Sequence, residues 1–165
     1  MQVHRTMKKL LILSVFIVSL NIACKCGCAE PAPYVVNLVI KNIAGNDLLD
    51  PTTSGFYSIA DIKLYKIDNG VKTPLRFEIQ MPITSGSSKI QFYRLVSDQL
   101  GGYSSSPNHY TTSIPYIQFK DEEPYKVAVQ FDAKWKQMSL YANGYEMLRD
   151  ESWPVRNSLF YFTKK

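Results

Sequence analysis

Disulfides, histidines and basic runs are nearly absent from most of this chain, and each absence closes off a class of protein. The three cysteines are Cys24, Cys26 and Cys28, so nothing after residue 28 can form a disulfide and a stapled core is excluded. Histidine is equally scarce. After His4 there is only His109, and no Gly-x-Ser-x-Gly segment supplies a nucleophile elbow to begin a Ser/His/Asp triad. No Lys/Arg run occurs after the first nine residues. Of 19 Lys and Arg against 14 Asp and Glu, removing Arg5, Lys8 and Lys9 leaves 16 against 14, or +2, which is no electrostatic footprint for nucleic acid. Helical stripes with a cap and a stop are missing as well, so a long helix is not expected. What remains is an ordinary globular composition, 45% hydrophobic and 20% charged over 165 residues, sized for one domain.

The N-terminus has the layout of an export signal. Arg5, Lys8 and Lys9 precede an uncharged apolar run from Leu10 to Leu20, followed by small residues and a cysteine. Extended through Ala23, the run makes about 21 Å of helix against a hydrocarbon core of about 30 Å, too short for a comfortable span. Met7, just ahead of the two lysines, would serve equally well as a start. Two cleavage sites compete. Asn21-Ile22-Ala23-Cys24 resembles the lipobox of bacterial lipoproteins, in which the cysteine is acylated, with palmitate for example, and becomes the new N-terminus; Asn21 stands where an aliphatic residue is usual. Gly27-Cys28-Ala29 is a small-x-small site that would release a soluble protein from Glu30 onward. On the first reading residues 1–23 are the signal peptide, Cys24 is the lipid anchor, residues 24–33 are a tether, and the membrane is the first partner. Cys-x-Cys-x-Cys falls short of the four ligands a structural zinc needs, so neither metal nor cofactor is expected.

From residue 34 to residue 165 the pattern is that of strands. Val36, Leu38 and Ile40 share one face of a first strand. The cleanest alternations are Leu75 to Met81 and Tyr125 to Phe131, with further runs at 61–67, 89–96, 116–120, 138–142, 145–148 and 158–163. Asn69-Gly70 and Asn143-Gly144 tolerate the two positive φ angles of a type I′ hairpin turn. Pro74 marks an edge position or a break. Many short strands with such turns predict an all-β fold, an antiparallel β-sandwich of immunoglobulin-like or similar kind, with a barrel second.

Two long segments, Asn42 to Ala60 and Ser97 to Ser113, interrupt the strands, and long loops are disproportionately functional. The second holds His109, Tyr103 and Tyr110 among Ser, Gly and Asn, the composition of adaptable binding loops, and is the expected ligand-binding surface. In the first, Asp47 and Asp50 lie beside Asn46. Their spacing lacks the alternation of a calcium loop and reads as a turn. Glu78, Asp132 and Glu146 are candidate carboxylates should the chain hydrolyse glycosidic bonds.

Asn42-Ile-Ala-Gly-Asn-Asp-Leu-Leu-Asp-Pro51, leading to Ile62-Lys-Leu-Tyr65 and Asn69-Gly70, with the second Asn-Gly turn and the closing Phe160-Tyr-Phe-Thr-Lys164, resembles small exported lipoproteins of Bacteroidetes-type bacteria. The resemblance implies a single β-sandwich behind a lipobox and carries over no catalytic or binding residue. It also implies the outer membrane. An acidic cluster after the acylated cysteine would favour surface display, and only Glu30 is acidic here, so the periplasmic face stays open beside the surface face. The expectation is a non-catalytic envelope module for a protein or glycan partner. The alternatives are a small hydrolase of cell-wall or polysaccharide substrates and a structural subunit of a surface assembly.

Overall fold

Where β-branched and aromatic residues alternate with polar ones the chain is extended, and where the alternation stops it turns. The computed structural model describes residues 33–84, 89–105, 113–132 and 138–164, the side chains of 103–105 aside. Among these described residues, twelve strands are laid out in two sheets. The first sheet has the order β11 (Leu148–Arg149), β12 (Asn157–Thr163), β1 (Val35–Lys41), β5 (Arg94–Ser97), β4 (Glu78–Gln80). The second runs β10 (Tyr145–Glu146), β9 (Met138–Ala142), β8 (Tyr125–Phe131), β7 (Ile114–Phe119), β2 (Ile62–Asp68), β3 (Val71–Pro74), with β6 (Ser104–Ser105) paired to β8. Among the described residues the only helical pieces are two 3-10 turns, Ile59–Asp61 and Leu100–Tyr103.

The sheets pack face to face, which makes the fold all-β and sandwich-like. Val36, Leu38, Ile40, Leu95 and Phe160 of the first sheet share one core with Leu64, Ile117, Phe119, Val129 and Leu140 of the second. Phe119 and Phe162 stack across the gap with ring centroids 6.1 Å apart, and Tyr125 meets Phe162 edge-on at 5.0 Å. Burying each such side chain contributes about 1.5–3 kcal/mol. Both Asn-Gly turns form as expected, with φ of 48° and 80° at Asn69 and Gly70 and of 48° and 84° at Asn143 and Gly144. Pro74 ends β3, an edge strand exposed throughout, where its missing N–H leaves no ladder bond unmade.

Four features depart from the simple alternation. The clean run Leu75 to Met81 yields only three residues of strand, because Leu75 is drawn into the core and its N–H bonds Leu64 of the other sheet. The run 145–148 is divided: β10 pairs with β9, β11 pairs with β12, and between them buried Met147 carries the chain from one sheet to the other. β1 and β12 run parallel from Val35↔Asn157 to Lys41↔Thr163, the longest ladder of the first sheet and an exception in an otherwise largely antiparallel fold. Finally, the segment 42–60 is not a free loop. Leu48 and Leu49 are buried, and the Asp47 carboxylate accepts the N–H of Leu49 at 2.9 Å and that of Tyr93 at 2.7 Å, tying the segment to the residue just before β5.

The first sheet is covered on its core face and over part of its outer face. Its core side carries Val36, Leu38 and Ile40. Its outer side carries a smaller cluster of Val39, Ile90 and Leu159, roofed by Ile83, Phe92, Trp153 and Tyr161. The roof comes from two excursions, a bridge pairing Ile83 with Ile90 and the turn between β11 and β12. They stop short of the Val35 end of the sheet, and the uncovered part is a groove.

Candidate functional site

Strand geometry dictates the floor of this groove. Alternate residues of β1 and β12 face outward, so Val35, Asn37 and Asn157 lie side by side, and Val96 of β5 sits opposite Asn37. Arg94 reaches in from β5. Its Nε donates to Asn37 Oδ1 at 3.2 Å, its Nη1 to the carbonyl of Met81 at 3.1 Å, and its Nη2 to Gln80 Oε1. Asn37 Nδ2 in turn donates to Asn157 Oδ1 at 2.7 Å and to the carbonyl of Ser158 at 3.3 Å. Arg94 and Asn37 are both buried, at 6% and 2% exposure, yet the oxygens that accept from the guanidinium, on Asn37, Met81 and Gln80, are all neutral. Burial draws the Arg94 guanidinium below its usual value, and the field of Glu78 opposes the shift.

The walls supply different chemistry. Trp153, Ile83 and Phe77 line it together with the Arg76–Asp98 pair, 3.5 Å apart and exposed. Glu78 accepts a hydrogen bond from Gln80 Nε2. The cavity measures about 640 Å³, within the range of small-molecule sites. It presents an indole, unspent guanidinium and amide N–H groups, and a carboxylate within one concavity.

A second groove of about 620 Å³ opens where the chain crosses between sheets, lined by Tyr125, Ala142, Met147 and Phe162 with Lys41 and Tyr161 at its rim. Near the end of β12 lies a third constellation. Lys164, 8% exposed, donates from Nζ to both oxygens of Glu122 and to the hydroxyl of Tyr57, which itself donates to Glu122 Oε1 at 2.8 Å. The ammonium also lies over the rings of Tyr57 and Phe119, at 4.5 and 4.8 Å. This cluster ties the chain end to the turn after β7 and to the segment before β2.

The sequence-based candidates are distributed unevenly. Cys24, His109 and Tyr110 lie outside the described residues, as does the Tyr103 side chain, although the Tyr103 backbone ends the second 3-10 turn. The first part of Ser97 to Ser113 is packed structure rather than open loop: Leu100 is 1% exposed, and Ser97 Oγ donates to the carbonyl of Arg76 while accepting from Leu100 N–H. Glu78 and Glu146 line different grooves, so they do not form one carboxylate pair. Among the described residues no cluster of three or more His, Cys, Asp or Glu is suited to a metal, and no helix is long and apolar enough to cross a membrane.

Comparison with family models, curated proteins and solved structures returns no match to this chain. Its chemistry is therefore read from its own residues. The sequence did hold one signal for the first groove. Asn37 interrupts an otherwise apolar strand, Val-Val-Asn-Leu-Val-Ile, at a central position where a polar side chain needs a buried partner. That the partners would be Arg94 and Asn157 depended on the parallel β1–β12 register, which alternation alone does not specify.

Proposed function

We propose that this chain is an exported, lipid-anchored, non-catalytic β-sandwich that binds a glycan in the groove on the outer face of its first sheet. The observation that carries the reading is the Arg94–Asn37–Asn157 relay, in which a buried cation and two amides are fixed by mutual hydrogen bonds beside Trp153. A sugar offers alternating hydroxyl donors and acceptors around an apolar C–H face. Guanidinium and amide N–H groups, the Glu78 carboxylate and an indole are its complement. Preorganisation supports binding, since side chains already fixed lose little freedom when a ligand arrives.

The anchor rests on Arg5, Lys8-Lys9, the apolar run and Ala23-Cys24, and on the resemblance to outer-membrane lipoproteins. Cys24→Ala should move the protein from the membrane to the soluble fraction and abolish incorporation of labelled fatty acid. A wild-type protein with no acyl label, and an N-terminus at Glu30 by mass spectrometry, would replace the anchor with simple secretion.

For the groove, a glycan array probed with the full chain should give saccharide ligands whose affinity falls roughly tenfold in Glu78→Gln and in Asn157→Ala, one hydrogen bond to a charged or fixed group being worth about 1–3 kcal/mol. Glu78 is exposed, so its variant should melt with the wild type. Glu78 and Asp98 line the same concavity, which keeps a hydrolase as the second reading. Turnover of a polysaccharide by the wild type that disappears in Glu78→Gln would establish that reading instead.

A further inference from the structure

We propose that the second groove, beneath the crossing from β10 to β11, is a binding site for a fatty acid, with the carboxylate at Lys41 and the acyl chain in the slot between the sheets. The slot is apolar by construction. The crossing at Met147 holds the edges of the two sheets apart, so that Tyr125, Ala142, Met147 and Phe162, which belong to the core, also face the cavity. The rim keeps large apolar groups in water: Leu148 is 73% and Tyr145 75% exposed. An acyl chain entering the slot would remove both kinds of surface from solvent.

The head group is specified by charge. Lys41 ends β1 on the outer face, and its ammonium is held between two rings, 3.7 Å from the centroid of Phe92 and 4.7 Å from that of Tyr161. Tyr161 also lines the groove. The four ion pairs among the described residues involve other cations, so Lys41 is half-buried without a paired carboxylate. Asp47, its partner across a β-bridge, feels its field but spends both oxygens on backbone N–H groups. Glu146, which also lines the groove, is exposed and makes no ion pair with it. The arrangement is a fixed cation at the mouth of an apolar slot of about 620 Å³, and an amphipathic monoanion completes both halves.

Calorimetric titration of the full chain with decanoate and dodecanoate below their micellar concentrations should show saturable one-to-one binding, tightening roughly threefold to fourfold per added methylene. Dodecyltrimethylammonium should bind at least tenfold more weakly than dodecanoate. Lys41→Gln should weaken dodecanoate at least tenfold while leaving dodecanol unchanged, and Lys41→Arg, which keeps the charge and the ring contacts, should restore it. Leu148→Glu, at an exposed position, should weaken dodecanoate and dodecanol alike. The proposal is overturned by dodecanoate binding that Lys41→Gln leaves intact, by equal affinity for the cationic surfactant, or by no saturable binding to the wild type. A dimer that sediments unchanged in saturating dodecanoate and dissociates in Leu148→Glu would assign the groove to a second copy of the chain and also overturn it.

Discussion

Gly101→Ala should lower the melting temperature by roughly 10 °C, whereas Gly102→Ala, one residue along, should leave it unchanged or slightly raised. Gly101 sits in the 3-10 turn Leu100–Tyr103 against the start of β1, and a methyl group built on its Cα would lie 2.2 Å from the carbonyl oxygen and 2.9 Å from the carbonyl carbon of Tyr34. The obstacle is backbone and cannot rotate away. Relief requires moving either the turn, which buries Leu100 in the core, or the entry to β1, the strand in the middle of the first sheet. Overpacking of this kind costs about 3 kcal/mol or more when the opposing atoms cannot yield. A Cβ on Gly102 meets nothing within 4 Å, so that substitution only restricts the unfolded chain. Calorimetric melts of the two variants decide the matter. Equal shifts would mean that the turn gives way and that the contact with Tyr34 is not a constraint.

The all-β architecture was legible because the code for it is local. A type I′ turn is chosen by two residues, and Asn69-Gly70 and Asn143-Gly144 both adopt it. One-sided burial is chosen by alternation, and β8 follows it, with Val127, Val129 and Phe131 inward and Lys126 and Gln130 outward. What alternation does not encode is which strand lies next to which. Tyr145 to Leu148 reads as one strand, yet its two ends belong to different sheets, because the buried Met147 satisfies its N–H on Leu140 while Leu148 opposes Tyr161. Similarly, Asn42 to Ala60 reads as a loop by its Gly, Asn and Pro content. The carboxylate of Asp47 replaces the hydrogen bonds that a loop would otherwise take from water, and this lets Leu48 and Leu49 enter the core.

The same division explains the grooves. Each residue of the Arg94 relay is ordinary in sequence, and the three come from positions 37, 94 and 157, brought together by ladders of long separation. Loop composition points to Tyr103, His109 and Tyr110, since small polar residues around tyrosines are a local feature, whereas a site on a sheet face is assembled by register. Asn37 in a hydrophobic strand was the one local irregularity pointing to it.

Glu122→Ala should destabilise the fold by about 1–3 kcal/mol at neutral pH, more than Lys164→Met does, although both remove the same ion pair. A buried charge left alone is worse than none: breaking a buried pair from one side costs about 3–5 kcal/mol, reduced here because the Glu122 side chain is 42% exposed and water screens it. In Glu122→Ala the Lys164 ammonium stays among the Tyr57 and Phe119 rings with a single hydroxyl to receive it. In Lys164→Met the cavity is apolar and the carboxylate turns to solvent. The double variant should therefore be more stable than Glu122→Ala alone, and a double-mutant cycle measures the difference. The pH dependence has two limbs of defined sign. Burial pushes the Glu122 carboxyl up, but hydrogen bonds from Lys164 and Tyr57 outweigh it and hold the group below its ordinary 4.5. Its contribution is thus present above that value and fades as pH falls through the lower folded value. Burial pulls the Lys164 ammonium down, but Glu122 and Tyr57 outweigh it and hold the group above its ordinary 10.5. That contribution is complete below 10.5 and fades as pH rises through the folded value. The stability gap between wild type and Glu122→Ala should accordingly be widest across the neutral range and close on acidification below the usual carboxylate value. A gap that is constant from pH 3 to pH 8 would show that Glu122 acts through its size and not its charge.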